Sequence, residues 1–139
     1  QEFCVHMAEH FELVIFTAGM EDYANWAIDS LHEKIQEKFS DPSLKPISHR
    51  LFRQHALPCR DCYIKDLSAL GRDLSKTMIV DNIPQNFLLQ PDNGVAIRTW
   101  TDDPSDTALA ELAPLLINIV IQRVPDVREA LRESKQHLI

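Results

Sequence analysis

The chain has 139 residues, a length typical of one domain and sufficient to bury a hydrophobic core. Hydrophobic residues make up 45% and charged residues 25%, which is the usual balance in a globular protein. The net charge of −7 argues against a general nucleic-acid binder, and no apolar run approaches the roughly 20 residues of a transmembrane segment.

The N-terminal third predicts a helix, a buried strand and a second helix, in that order. Residues 1–11 place apolar side chains on one helical face, and residues 13–17 form an apolar run that ends in Thr17. A longer amphipathic helix is predicted over residues 21–39. Tyr23 lies in its first turn, where packing at the edge of the core is the simplest interpretation of a tyrosine.

Basic side chains mark the ends of the next two predicted strands. Residues 47–52 predict a strand that is followed by Arg53, and residues 62–66 form a short β-rich run that contains Lys65. Exposure to solvent is the ordinary state of both residue types. A functional role for either one therefore depends on which residues lie beside it.

Two cysteines in the sequence Cys59-Arg60-Asp61-Cys62 raise the question of a metal or redox site. With His49 and His55 they could form a zinc site, but a single CxxC without a second pair is a weak signal. Redox chemistry of the usual kind needs the first cysteine at a helix N-terminus, and here the pair lies between strands. An odd number of cysteines favours free thiols in a reducing, intracellular compartment.

A short buried strand over residues 77–82 ends in Asp81 and Asn82. In open α/β sheets, ligands bind outside the carboxyl ends of the strands, and oxygen donors of this kind are ligands for Mg²⁺. The alternative is that both residues only shape the turn before Pro84. Together with Thr17 and Lys65, they outline a phosphate site with a metal beside it.

The C-terminal part predicts short elements and then two helices. Residues 84–89 predict one helical turn with Phe87 and Leu88 packed inward, and residues 95–97 predict a short buried strand. A long helix is expected over residues 107–122 despite an internal proline, followed by a final helix from Asp126 to about Lys135. This order of elements predicts an α/β fold, a three-layer sandwich with a mostly parallel sheet.

Several motifs in order resemble the haloacid-dehalogenase-type protein phosphatases. The nearest branch is that of the small C-terminal-domain phosphatases and NLI-interacting-factor-like proteins, with the dullard group close by. The resemblance covers nearly the whole chain. The matching segments are Phe16-Thr17-Ala18-Gly19 with Tyr23-Ala24, Arg50-Leu51-Phe52-Arg53, Tyr63-Ile64-Lys65-Asp66-Leu67-Ser68, Leu70-Gly71-Arg72-Asp73-Leu74, Val80-Asp81-Asn82, Gln90-Pro91-Asp92-Asn93-Gly94, residues 102–107 and residues 125–128.

One family motif is missing from the 139 residues. The family nucleophile is the first Asp of an Asp-x-Asp-x-Thr motif after the first, central strand, and the sequence contains no such motif. The resemblance therefore implies a single domain, residues 1–139, that lacks its first central strand and is N-terminally incomplete. Alone, it is expected to be inactive and not to hold the native fold as an isolated monomer, because a central strand pairs on both sides.

The resemblance implies a role for each candidate residue. Thr17 and Lys65 would hold the oxygens of the transferring phosphoryl group, and Asp81 would orient Lys65 or a metal-bound water. Asn82 would ligate Mg²⁺. In the substrate-binding region, Tyr23 would line a pocket for a proline after the phosphorylated residue. Arg53 would contact the phosphorylated segment.

The expected function is a Mg²⁺-dependent protein serine/threonine phosphatase that acts through an aspartyl phosphate. Its partner would be a phosphorylated protein, with a nuclear or cytoplasmic location favoured over a mitochondrial one. One alternative is a non-catalytic protein-binding module of the same fold, similar to the mitochondrial import receptor; the intact Thr17, Lys65, Asp81 and Asn82 speak against it. Another is a small-molecule phosphatase, which Tyr23 disfavours.

Overall fold

A computed structural model describes residues 1–137 and divides the chain into two compact units, the second of which begins at Leu57. The described elements are the helices α1 (Glu2–Ala8), α2 (Glu21–Lys38), α3 (Ala108–Ile121) and α4 (Val127–His137), and the strands β1 (Leu13–Phe16), β2 (Ile47–Leu51), β3 (Leu57–Pro58), β4 (Tyr63–Ile64), β5 (Ile79–Asp81) and β6 (Gly94–Ala96). Five short 3-10 helices connect them: Arg53–His55, Leu67–Leu70, Leu74–Lys76, Pro84–Phe87 and Pro91–Asn93.

The first unit is a β–α–β arrangement with α1 in front of it. Strands β1 and β2 run parallel, with Phe16 opposite Leu51, and α2 connects them. The backbone N–H of Thr17 donates to the carbonyl of Leu51 at 3.0 Å, so the pairing continues one residue past β1. Buried apolar side chains from α1, α2 and β2 form the interior of this unit: Met7, Ala24, Ile28, Ile35 and Ile47.

The second unit contains a parallel pair, a hairpin and two helices. Strands β5 and β6 run parallel with Asp81 opposite Ala96, whereas β3 and β4 form an antiparallel hairpin. Helices α3 and α4 contribute the buried cluster of Ile119, Val127 and Leu131. No helix in residues 1–137 has the combined length and apolar character needed to cross a bilayer.

The structure confirms a mixed α/β chain with small parallel and antiparallel sheets. Within the described residues, β1 pairs on one side only, with β2, and β5 likewise pairs only with β6. The three-layer sandwich and the single domain stay predictions. Helix α3 contains Pro114 in its interior, as expected. Proline removes only one backbone N–H donor, and the other residues of this largely apolar helix keep theirs.

One packing prediction near the β5 strand is half wrong. Phe87 is buried as expected, and its ring lies so close to Gly94 that a Cβ there would fall 2.2 Å from ring carbons. Leu88, however, is about half exposed at 49%. The 3-10 helix ends at Phe87, so the chain turns after one buried side chain instead of presenting two.

Candidate functional site

Lys65 and Asp81 form a buried ion pair in the second unit. The ammonium of Lys65 lies 2.7 Å from Asp81 Oδ2, and the two side chains are only 10% and 4% exposed. Lys65 directly follows strand β4, and strand β5 ends at Asp81. The solvated alternative for Lys65 is therefore wrong, because its charge is held inside the unit by a carboxylate partner.

Asp81 has a donor on each oxygen. Its Oδ1 accepts the N–H of Ile83 at 2.9 Å, and the side-chain amide of Asn86 approaches Oδ1 and Oδ2 at 3.3 and 3.2 Å. Burial raises the pKa of this carboxyl, but the hydrogen bonds from Lys65, Ile83 and Asn86 outweigh it, so the net pKa is lowered. The turn interpretation was thus partly right, since Asp81 does cap the turn through Ile83.

Asn86 is a residue that the sequence analysis missed. Besides its side-chain contacts to Asp81, its backbone carbonyl accepts the N–H of Lys65 at 2.7 Å. One buried residue therefore touches both members of the ion pair. We call Lys65, Asp81 and Asn86 the Lys65–Asp81 cluster. The sequence offers only an asparagine in a short turn after Pro84 as a signal. Asparagines are common in surface turns, so this signal does not indicate a buried contact.

The segment after Lys65 is held by a second set of polar contacts. Gln90 accepts the N–H of Leu67 at 3.0 Å and donates to Asp66 Oδ1 at 2.8 Å. Asn93, which is fully buried, donates to the carbonyls of Leu74 and Thr77 at 2.7 and 2.9 Å. These bonds fix the irregular chain between β4 and β5 on which the position of the cluster depends.

Asn82 is exposed, and its side chain contacts Thr99. Its Nδ2 donates to Thr99 Oγ1 at 3.1 Å, which leaves the carbonyl oxygen as the group able to accept or to ligate. Thr99 also lines an open polar cleft of about 390 Å³ with Arg98 and Glu111. Arg98 is balanced there by Asp106 and Glu111 at 3.3 and 3.6 Å.

Metal binding requires several suitable side chains close enough together to share one ion. Within residues 1–137, no group of three or more His, Cys, Asp or Glu side chains could hold a metal ion. Asp81 is saturated by N–H donors, so Asn82 supplies the only oxygen donor of the predicted Mg²⁺ set, and Mg²⁺ needs several. Binding of Mg²⁺ at Asn82 stays a prediction.

The zinc alternative at the two cysteines also lacks its ligands in the part that the structure describes. His49 contacts Glu12 at 3.3 Å, and His55 Nδ1 accepts the N–H of Phe52 at 2.8 Å. Both histidines are thus engaged elsewhere in the first unit. Cys59 and Cys62 are free thiols, as the sequence analysis expected.

In the first unit, Thr17 stands at the end of β1 in a tight loop. Its hydroxyl oxygen accepts the N–H of Gly19 at 3.0 Å, so its own proton is available for donation to another acceptor. Arg53 donates through Nε to the carbonyl of Ala18 at 2.7 Å, which places its guanidinium against the same loop. The structure therefore brings Thr17 and Arg53 together within this unit, although Arg53 lies in a 3-10 turn after β2.

Tyr23 is not packed in the core, so that interpretation is wrong. It is 67% exposed and contacts the ring of Trp26, itself 65% exposed, with 6.0 Å between ring centroids. Met20, directly before α2, is also exposed. We call Met20, Tyr23 and Trp26 the α2 aromatic patch. The positions of Thr17, Tyr23 and Arg53 relative to the Lys65–Asp81 cluster stay a prediction.

Comparison with known proteins identifies relatives along almost the whole chain. The profile of the family described as NLI interacting factor-like phosphatase matches residues 1–128. CTD small phosphatase-like protein 3 of Caenorhabditis elegans is 44% identical over 136 residues, which cover 95% of this chain and 42% of the relative.

Two further relatives give the same result. Carboxy-terminal domain RNA polymerase II polypeptide A small phosphatase 1 of Homo sapiens is 39% identical over 96% of this chain and 47% of its own length. Phosphatase Herzog of Drosophila melanogaster is 39% identical over 99% of this chain and 36% of its own length. The chain spans less than half the length of each of these relatives. It belongs to the family of NLI interacting factor-like phosphatases.

Proposed function

We propose that this chain forms most of the catalytic domain of a Mg²⁺-dependent protein serine/threonine phosphatase. The observation that carries the proposal is the buried Lys65–Asp81 pair, in which a cation is fixed at the end of a strand. A fixed ammonium lowers the free energy of the charge that develops on a transferring phosphoryl group, without reorganisation at the moment of reaction.

The role of Asp81 follows from its contacts. Its carboxylate holds the Lys65 ammonium at 2.7 Å, and the donors on both of its oxygens keep it from rotating away. Asp81 therefore acts as a positioning residue for Lys65. When a phosphate binds, the Lys65 ammonium would donate to it while still donating to Asp81, since an ammonium has three N–H donors.

The nucleophile is proposed to come from a segment outside these 139 residues. In the family reaction an Asp carboxylate attacks phosphorus, an oxygen–phosphorus bond forms, and the bond to the serine or threonine oxygen breaks. That oxygen leaves as the free hydroxyl with a proton from a general acid, which is proposed to lie in the same outside segment. Water later hydrolyses the aspartyl phosphate, which regenerates the Asp carboxylate and releases inorganic phosphate. The Thr17 hydroxyl would donate a hydrogen bond to a phosphoryl oxygen in both steps.

Asn82 is the residue of this chain that is proposed to bind Mg²⁺. When bound, Mg²⁺ would neutralise phosphoryl charge and help to position the phosphate. Asn82 Oδ1 would be the ligand from this chain, and the remaining ligands would come from water, substrate and the segment that carries the nucleophile. The hydrogen bond from Asn82 Nδ2 to Thr99 supports this role, because it engages the nitrogen and leaves Oδ1 able to coordinate.

The proposed substrate is a phosphorylated protein segment in extended form. Arg53, held against the Thr17–Gly19 loop, would contact its phosphorylated part. Tyr23 would receive an apolar residue, such as a proline, that follows the phosphorylated serine or threonine. The names of the relatives, which include small phosphatases of the RNA polymerase II carboxy-terminal domain, support a phosphoprotein as the substrate class.

The test is the hydrolysis of a phosphoserine-proline peptide by an extended chain. This chain consists of residues 1–139 preceded by a first strand and an Asp-x-Asp-x-Thr segment of the family pattern. We expect Mg²⁺-dependent phosphate release from it and none from residues 1–139 alone. Lys65→Ala and Asn82→Ala should each lower kcat by about 10²-fold or more, the scale for one preorganised electrostatic group.

The control is Lys34→Ala, which removes an exposed lysine on α2 and should leave the rate unchanged. Hydrolysis by residues 1–139 at the rate of the extended chain would refute the assignment of the nucleophile. An extended chain that folds and binds the peptide but releases no phosphate would instead favour the non-catalytic binding module.

A further inference from the structure

Cys59 and Cys62 lie opposite each other at the turn that joins β3 to β4. Pro58 pairs with Tyr63, and the next position outward brings Cys59 beside Cys62. The backbone N–H of Cys59 donates to the carbonyl of Cys62 at 2.8 Å. Residues directly opposite on antiparallel strands place their side chains on the same face, so the two thiols are neighbours across the turn.

The hairpin geometry suits a disulfide. Opposite residues joined by a backbone hydrogen bond have α-carbons about 5.5 Å apart. Disulfides span α-carbon separations of roughly 4.4–6.8 Å, so the bond could form without a shift of the backbone. This arrangement differs from the redox type considered for the sequence, because the two strands, and not a helix N-terminus, position the sulfurs.

The two thiols differ in accessibility. Cys59 is exposed, whereas Cys62 is half-buried. Burial raises the pKa of the Cys62 thiol, and its contact with Cys59 and the charge of Asp61 raise it further. A dissolved oxidant would therefore meet Cys59 first, and Cys62 would act as the resolving thiol.

We propose that Cys59 and Cys62 form a reversible intrachain disulfide when hydrogen peroxide reaches the exposed Cys59. The Cys59 sulfur attacks one peroxide oxygen; a sulfur–oxygen bond forms, the oxygen–oxygen bond breaks, and water leaves with the thiol proton. The Cys62 sulfur then attacks the Cys59 sulfenic acid, the sulfur–oxygen bond breaks, and a second water leaves. Peroxide accepts both electrons, and a dithiol reductant returns them.

The disulfide would act on the strand that carries Lys65. Strand β4 follows Cys62 directly, and the next residue is Lys65, whose N–H is bonded to Asn86. Closing the loop of residues 59–62 would restrict the opening of the hairpin and slow the amide exchange of β4. The modification itself stands independently of the proposed phosphatase function.

The test treats the extended chain, with any cysteine of the added segment replaced by serine, with hydrogen peroxide and maps thiols by alkylation and mass spectrometry. Of the three cysteines, only Cys4 should remain alkylatable, and the peptide with Cys59 and Cys62 should lose two hydrogen atoms. Dithiothreitol should restore both thiols. Dimers linked through Cys59, a sulfinic acid at Cys59, or two unchanged thiols would each overturn the proposal.

A shifted-thiol variant tests the role of the hairpin. Cys62→Ser combined with Tyr63→Cys keeps two thiols in the segment but moves the second to the opposite face of the strand. We expect the intrachain disulfide to be lost in this variant, with Cys59 forming dimers or higher oxidation states instead. Formation of the 59–63 disulfide at the parental rate would show that the pairing of the strands is irrelevant.

Discussion

The Lys65–Asp81 cluster and the α2 aromatic patch represent two different ways in which a fold presents chemistry. In the cluster, the polar side chains are buried, and the Asp81 carboxylate accepts hydrogen bonds from Lys65, Ile83 and Asn86 of its own unit. In the patch, Tyr23 and Trp26 are about two-thirds exposed, and their rings contact each other. Substitutions in the cluster should therefore lower the free energy of unfolding as well as activity. Substitutions in the patch should lower only the binding of substrate.

The largest effect is expected from breaking the ion pair in the extended chain. Lys65→Met leaves the Asp81 carboxylate buried without its cation, which should lower the free energy of unfolding by about 3–5 kcal/mol. Urea unfolding measures this loss. The double variant Lys65→Met with Asp81→Leu removes both charges and should recover part of it. A loss no larger than that of Lys34→Met would place the pair in contact with water.

The next effect concerns Asn86. Asn86→Ala removes one amide nitrogen that is shared between both oxygens of the Asp81 carboxylate, and a hydrogen bond to a charged group contributes about 1.5–3 kcal/mol. We therefore expect a loss of that order in urea unfolding of the extended chain. Gln85→Ala, one residue earlier and exposed, is the matched control and should be nearly neutral. Equal effects of the two substitutions would remove Asn86 from the cluster.

A steric test probes the packing beneath the cluster. Gly94→Ala places a methyl group 2.2 Å from ring carbons of Phe87, and such overpacking costs about 1–3 kcal/mol. Phe87→Leu makes room, so the added cost of Gly94→Ala should shrink in that background. Thermal unfolding of the four chains in this double-mutant cycle gives the coupling. Additive effects would contradict the close contact.

The smallest change in stability is expected at the α2 aromatic patch. Tyr23→Ala and Trp26→Ala should change the free energy of unfolding by no more than about 0.5 kcal/mol, because both rings are mostly in water. For the extended chain, Tyr23→Ala should raise KM for a phosphoserine-proline peptide while kcat changes little. A large loss of stability with an unchanged KM would reverse the comparison between the two regions.

Local patterns predicted the elements well where each element contains its own signal. The apolar run of residues 13–17 became β1, and the apolar run around Pro114 became α3. The hairpin partner β3 was not predicted, because a two-residue strand that contains a proline carries almost no local signal. The boundaries of helices moved by one to three residues, as end fraying makes usual.

Site residues were predictable from sequence when they ended a strand, but their surroundings were not. Lys65 and Asp81 were candidates because each was expected at the end of a strand of one parallel sheet. In the structure, β4 belongs to an antiparallel hairpin and β5 to a separate parallel pair, and the ion pair itself joins the two segments. The contact of Asn86 with both residues depends on how the turn after Pro84 folds back, which no short window of sequence contains. Tyr23 is 67% exposed, which its place in the first turn of an amphipathic helix did not indicate.

The central claim is that Lys65 and Asp81 are a buried pair of opposite charges. Because hydrogen bonds lower the pKa of folded Asp81, the pair contributes stability above the unfolded pKa, and this stability is lost as pH falls through the folded pKa. The most direct measurement is an NMR titration of the Asp81 carboxyl carbon in the extended chain. We predict a midpoint below the ordinary value of 3.8, whereas a midpoint at or above 3.8 would contradict the account.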